Sequence, residues 1–401
     1  MTRVVLIAAL LLCVPLFLTS CTRPAQTTDA PSVTGGPAVG PQAIRIGLNA
    51  ELTGSIPVVG QSCRNAAEYA VKQVNDAGGL EVGGARVTVE LTTEDNEDKA
   101  ESAAAVAQKL ASGGVLAMVG PNASRNAVPA AEVAESVKMP MISPWSTTPP
   151  LTVDARTGEP KQYVFRAAFT DDFQGVVAAN FALEELQTRQ PAVLYDMASE
   201  YNKGIAEVYK KTIEAAGGKI VAFETYTSGD KDFSAQLTKI ARSGADTLFL
   251  PNYYSEVPLQ VKQARGVGYK GRIFGSDSWG SEELIKLAGD ACEGLFFTTH
   301  YAPDTATPKA TEFIAAYQGA YGVVPDDVAA LTYDSFGLLF AAIQAAGTVD
   351  REAVREALAA ISDFEGVTGT MQFEGTGDPV KSAVVIQIKD GKFTFYKTAQ
   401  P

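Results

Sequence analysis

The sequence predicts an α/β protein made of two doubly wound lobes of similar build. Three observations carry that reading. From Ala43 onward, short apolar runs alternate with amphipathic stretches, the rhythm of a parallel sheet covered by helices on both faces. The rhythm breaks near Phe165 and restarts, so two such sheets are expected. A tail of three helical patterns and closing strands follows the second block.

In the first block, residues 44–48 read as a strand and 65–74 as a helix stopped by Gly78-Gly79. Residues 86–91 form a strand, 99–110 a helix and 115–119 a buried strand. Residues 124–136 are helical and lead into Pro140-Met141-Ile142. In the second block a helix spans 173–186 and a strand 192–195. Ile205, Val208, Tyr209 and Ile213 follow the spacing of one buried helix face. Strands at 219–226, 247–250 and 272–274 then alternate with helices at 233–241 and 257–266. The tail gives helices at 309–321, 328–346 and 350–361, the last capped by Asp350. Strands are expected near 369–373, 383–388 and 393–396.

The N-terminus has a different character. Arg3, an apolar run over 4–18 and Leu18-Thr19-Ser20-Cys21 form a charged start, a greasy core and a small-residue exit. Residues 1–20 are read as a signal peptide too short to span a bilayer comfortably. Cysteine at that exit resembles the lipobox of bacterial lipoproteins, which implies lipidation of Cys21. Residues 21–42, rich in Pro, Gly, Thr and Ala, read as a leash reaching on the order of 25 Å. The body is then expected outside the cytoplasm, held to the membrane through lipid.

Composition excludes several classes. The 401 residues carry a net charge of −13 with no basic block, a poor match for nucleic acid. One histidine, His300, rules out a His-rich metal site and argues against a Ser-His-Asp triad; it reads as a structural residue at a strand end. No phosphate-binding glycine loop or G-x-S-x-G elbow occurs. No cofactor, metal or catalysis is therefore expected. The cluster Glu94-Asp95-Asn96-Glu97-Asp98 lacks the spacing of an EF-hand and reads as a solvated strand end. Cys63 and Cys292 are the pair that export could oxidise, but they fall in different blocks.

Three loops after strands hold chemistry, where doubly wound sheets bind ligands. In Gly120-Pro121-Asn122-Ala123-Ser124, the serine opens a helix and offers a carboxylate a hydroxyl and an amide; a plain N-cap reads equally well. Ile142-Ser143-Pro144-Trp145-Ser146-Thr147-Thr148-Pro149 crowds hydroxyls beside a tryptophan, which simple turn chemistry also explains. In Gly275-Ser276-Asp277-Ser278-Trp279, Asp277 is placed to hold an ammonium or to cap the next helix.

Residues 69–80 (YAVKQVNDAGGL), Met141-Ile142-Ser143-Pro144, Asn252-Tyr253-Tyr254-Ser255-Glu256 and Gly275-Ser276-Asp277 resemble, in matching order, the branched-chain amino-acid-binding proteins. These are type I solute-binding proteins of ABC importers. The resemblance runs from about residue 44 to the end. It implies two lobes joined by a three-crossing hinge, one of 43–169 plus 302–382 and one of 170–301 plus 383–401. It further implies that Ser124 and Thr147 meet a ligand carboxylate, while the Trp145 carbonyl and Asp277 take its ammonium. Tyr201 and Tyr253 close from the second lobe, and Ser146 and Val59 complete the ligand-binding set. Relatives often carry an aromatic where Val59 stands and Glu where Asp277 stands, and Trp145 and Trp279 add bulk near the mouth. The function implied is capture of a branched-chain or other small apolar amino acid by a monomer, and delivery to a permease. Alternatives are an amide, urea or aromatic-acid ligand, a secreted α/β hydrolase, or a sensory domain.

Overall fold

A computed structural model describes residues 43–305 and 307–399. The expected signal segment, Cys21 and the leash lie outside the described residues.

The first sheet is built by β1 (Ala43–Ala50), α1 (Pro57–Asp76), β2 (Leu80–Val82), β3 (Ala85–Asp95), α2 (Ala100–Ser112), β4 (Ala117–Val119), α3 (Ser124–Ser136), β5 (Met141–Ser143) and β6 (Val164–Arg166). Its strand order is β2-β3-β1-β4-β5-β6. The second sheet follows with α4 (Asp171–Glu184), β7 (Pro191–Asp196), α5 (Glu200–Ala215), β8 (Ala222–Tyr226), α6 (Ser234–Arg242), β9 (Thr247–Leu250), α7 (Val257–Gly266), β10 (Arg272–Gly275), α8 (Glu282–Ala288) and β11 (Phe296–Thr299). The chain then returns to the first lobe as α9 (Pro308–Tyr321), α10 (Asp327–Ala346) and α11 (Arg351–Ala359). A small sheet of β12 (Phe364–Gly366), β13 (Gly369–Phe373) and β14 (Pro379–Val380) comes next, and β15 (Ala383–Lys389) and β16 (Lys392–Ala399) close the second sheet. That sheet runs β16-β15-β11-β10-β9-β7-β8. The chain thus passes between the sheets three times, after β6, β11 and β14.

The strands are apolar because they are covered on both faces. All of β7 and β9 is buried, as are Ile44, Ile46 and Leu48 of β1. Helix α10, the most apolar, packs on α1 and α11. Asp350 caps α11 as expected, accepting from the Ala353 amide at 3.0 Å.

The edges depart from the parallel expectation. β2 pairs antiparallel with β3, and β15 pairs antiparallel with both β11 and β16. The β2–β3 and β15–β16 connections are two-residue turns, which only antiparallel neighbours can use. Asp390-Gly391 has positive φ at both positions, the backbone a tight hairpin requires. α1 also starts at Pro57, well before the expected residue 65. Proline suits the first helical position, and the added turns bury Val59 and Cys63. Cys63 and Cys292 are both free and buried.

Candidate functional site

The chemistry gathers where each sheet reverses direction. β1 is flanked by β3 and β4, and β7 by β8 and β9. Loops leaving the carboxyl ends beside these switch points open a crevice. Those after β4 and β5 supply one wall; those after β9 and β10, with the first turn of α5, supply the other.

On the first wall, Gly120 lets the chain leave β4 against β1. Its φ is +83°, and a Cβ there would lie 2.1 Å from the Asn49 carbonyl. Ser124 is the first residue of α3, and the cap position is Ala123, which makes no side-chain bond. The plain N-cap reading of Ser124 therefore falls. Its hydroxyl instead accepts from the Ser146 hydroxyl at 3.0 Å. The amides of Asn122 and Ala123 donate to the buried Glu51 carboxyl at 3.1 and 3.0 Å. Burial raises the Glu51 pKa, partly offset by Asn122, Asn126 and Ala123. The 142–149 loop is pinned from behind by buried Arg166, which donates to the Ser146 and Thr148 carbonyls at 2.9 and 2.8 Å and pairs with Asp378 at 2.6 Å. Trp145 Nε1 donates to Asp327 at 3.1 Å. The Thr147 hydroxyl is buried with no partner.

On the second wall, Asp277 is held from two sides. The Tyr201 hydroxyl donates to Oδ1 at 2.5 Å and lies 2.6 Å from the Ser276 hydroxyl. His300 Nε2 stands 3.2 Å from Oδ2, and its ring stacks on Phe169 with centroids 3.7 Å apart. Burial drives the His300 pKa down to about 4, against the pull of Asp277. The ring is therefore neutral at neutral pH, and the contact is a hydrogen bond rather than an ion pair. Tyr253 meets Tyr201 at 5.6 Å on its own wall and Trp145 at 6.1 Å across the crevice.

The walls also meet outside the crevice. Arg125, beside Ser124, holds Asp98 through both Nε and Nη2 and lies 5.0 Å over the Tyr253 ring. The crevice between the walls is lined by Asn122, Ala123, Ser124, Trp145, Thr147, Tyr201, Tyr253 and Asp277. A larger groove beyond Asp327 runs past Phe297, Tyr301 and Asp326. Its Asp326 and Asp327 already have partners: Asp326 in Ser62 and the Ala329 amide, Asp327 in Trp145 and Thr299. The small cavity is the one that combines an unpartnered hydroxyl with an acid.

Comparison with known proteins agrees with this geometry. Residues 43–392 match the family model described as periplasmic binding protein. The chain belongs to that family. It is 34% identical to the leucine-, isoleucine-, valine-, threonine- and alanine-binding protein of Pseudomonas aeruginosa, over 88% of this chain and 89% of that one. The leucine-binding protein LivK of Thermotoga maritima superposes with a TM-score of 0.83 at 33% identity, covering 90% of this chain and 99% of that chain. LivJ of Streptococcus pneumoniae, solved with isoleucine, gives a TM-score of 0.83 at 33% identity, covering 90% and 100%. The resemblance to branched-chain amino-acid-binding proteins is thereby established, and with it the two-lobed α/β fold of solute-binding proteins.

Within this periplasmic-binding-protein body, Ser124, Trp145, Thr147, Tyr201, Tyr253 and Asp277 come together at one cavity. Ser146 and Val59 do not reach its wall. Ser146 supports Ser124 from behind, and Val59 packs in the apolar core. Trp279 is not at the mouth. It is fully buried on Gly275, where a Cβ would sit 2.0 Å from the indole. The acidic cluster is not simply solvated either. Asp95 receives the Leu52 amide at 3.1 Å, Asn96 is buried, and Asp98 anchors Arg125. Sequence reasoning missed Glu51 and Arg125, and it placed His300 at a strand end without its partner. Glu51 could have been found as an acid just past the carboxyl end of a central strand.

Proposed function

We propose that the protein captures an α-amino acid with a small apolar side chain, does no chemistry on it, and delivers it to the permease of an ABC importer. One observation carries this reading: the hydroxyls of Ser124 and Thr147 on one wall and a buried, doubly hydrogen-bonded acid on the other line the same crevice. Ser124 and Thr147 would take the carboxylate, and Asp277 with the Trp145 carbonyl the ammonium. Trp145, Tyr201 and Tyr253 would enclose the side chain. The names of the relatives point to leucine, isoleucine and valine as first candidates. Lobe closure fits the contacts that already cross the crevice. The lipid anchor at Cys21 and a monomeric state belong to the same reading. A hydrolase is disfavoured because His300 faces Asp277 and Phe169.

The test is calorimetric titration of the soluble body with a panel of α-amino acids, amides, urea and aromatic acids. Binding of leucine, isoleucine or valine in the micromolar range or tighter supports the reading. Binding of only an uncharged amide or an aromatic acid overturns it. Globomycin-sensitive processing and palmitate labelling lost in Cys21→Ala would test the anchor.

A further inference from the structure

The crevice and the larger groove beyond Asp327 are separate spaces, and one hydrogen-bonded contact stands between them. No residue lines both. Trp145 faces the crevice, whereas Asp327, Thr299 and Gly280 face the groove. The Trp145 indole Nε1 donates to Asp327 Oδ2 at 3.1 Å, and the Thr299 hydroxyl donates to the same oxygen at 2.9 Å. Trp145 and Asp327 belong to the first lobe, while Thr299 ends β11 of the second sheet. Gly280 follows β10 of that sheet and makes room for the carboxyl: a Cβ there would lie 2.6 Å from Asp327 Oδ1. Trp145, Asp327 and Thr299 are all buried. On the far side of this contact the groove offers about 550 Å³ and an apolar lining that includes Ile285, Phe297, Ile386 and Phe393.

The start of α10 does not need Asp327, because Asp326 already caps the helix by accepting from the Ala329 amide at 2.8 Å. The ligand roles given above leave it unused as well. We propose that Asp327 is a positioning residue for ligand specificity: it holds the Trp145 indole as a partition between crevice and groove, and so restricts the site to short side chains. With the indole released, a longer apolar side chain reaches the groove, and each methylene buried there strengthens binding about 4-fold. Burial above all, with the charges of Asp326 and Asp277, raises the Asp327 pKa to about 8 against the pull of Trp145 and Thr299. The carboxyl is therefore largely neutral at pH 7, and asparagine is a close mimic of it.

This inference rests on the α-amino-acid reading, and the experiment separates the two. Wild type, Asp327→Ala, Asp327→Asn and Trp145→Phe are titrated at pH 7 with L-valine and with L-2-aminooctanoic acid, a longer straight-chain ligand. Wild type should favour valine. That preference should shrink by roughly 10-fold or more in Asp327→Ala and in Trp145→Phe, which lacks the indole N–H, and should survive in Asp327→Asn. Trp145→Phe secures the comparison if Asp327→Ala does not fold. An unchanged preference in the alanine and phenylalanine variants, or an equal loss for both ligands, overturns the partition. A second readout needs no ligand. Trp145 and Trp279 are the two tryptophans of the chain, and Trp279 is fully buried, so acrylamide quenching of fluorescence should rise in Asp327→Ala; no rise overturns the hold of Asp327 on the indole. Failure of wild type to bind any α-amino acid overturns the ligand reading instead, and quenching then decides the partition by itself.

Discussion

The two walls of the cavity solve opposite problems. In the proposed function the first wall offers donors to an anion, and it does so with neutral hydroxyls, Ser124 resting on Ser146 and Thr147 beside it. The second wall must keep a carboxylate in a dry place. It does so by surrounding Asp277 with the Tyr201 hydroxyl and the His300 ring before any ligand arrives. A neutral donor can be left loose at lower cost than a buried, charged acid.

Removing the acid should do the most damage. On the proposed function, Asp277→Ala deletes the main partner of the ligand ammonium and leaves that cation buried and poorly paired. Truncating one partner of such a pair costs about 2–5 kcal/mol, so isoleucine binding should weaken by at least about 30-fold in titration calorimetry. Affinity within threefold of wild type would mean the ammonium lies elsewhere. Ser124→Ala strikes the looser wall and should cost less, roughly 5- to 30-fold, because Ser146 and Thr147 remain near the carboxylate. If Ser124→Ala proved the more harmful of the two, the contrast between the walls would be reversed.

The architecture was legible because burial writes itself into strand composition. β9 and α7 match the sequence reading end to end, and β4, β5 and α3 follow it closely, since apolar runs bounded by Gly or Pro leave few alternatives. α8 and β11 were not seen. α8 has seven residues, too short for a helical period to emerge, and β11 is half threonine, Phe296-Phe297-Thr298-Thr299, so it is no apolar run. At the site, loops that follow strands with small hydroxyls or a lone acid were visible one at a time. What joins them was not. Glu51 lies 71 residues from Asn122 and His300 lies 23 from Asp277, and only the fold brings such pairs together. Val59 and Trp279 were misplaced for the same reason: an apolar residue near a site in sequence is as easily core as wall.

His300 offers the finest test of the held acid. His300→Leu keeps most of the bulk against Phe169 but removes the N–H on Asp277 Oδ2. The Tyr201 contact survives, so isoleucine affinity should fall only about 3- to 10-fold. His300→Gln, which retains an N–H, should recover part of that loss; a residue that merely filled space would not distinguish the two. The pH profile adds an independent reading. The folded pKa of about 4 lies below the ordinary value of 6.5, so between them the unfolded chain binds the proton more readily than the native one. The stabilising share of a neutral His300 is therefore complete above pH ~6.5 and is lost as pH falls toward ~4. The groups that set this balance are Asp277, which favours the charged ring, and Lys381, which opposes it along with burial. Measured as melting temperature from pH 7 to pH 4, wild type should decline more steeply than His300→Leu. Parallel curves would show that the ring is not buried neutral against Asp277, and the second wall would then hold its acid through Tyr201 alone.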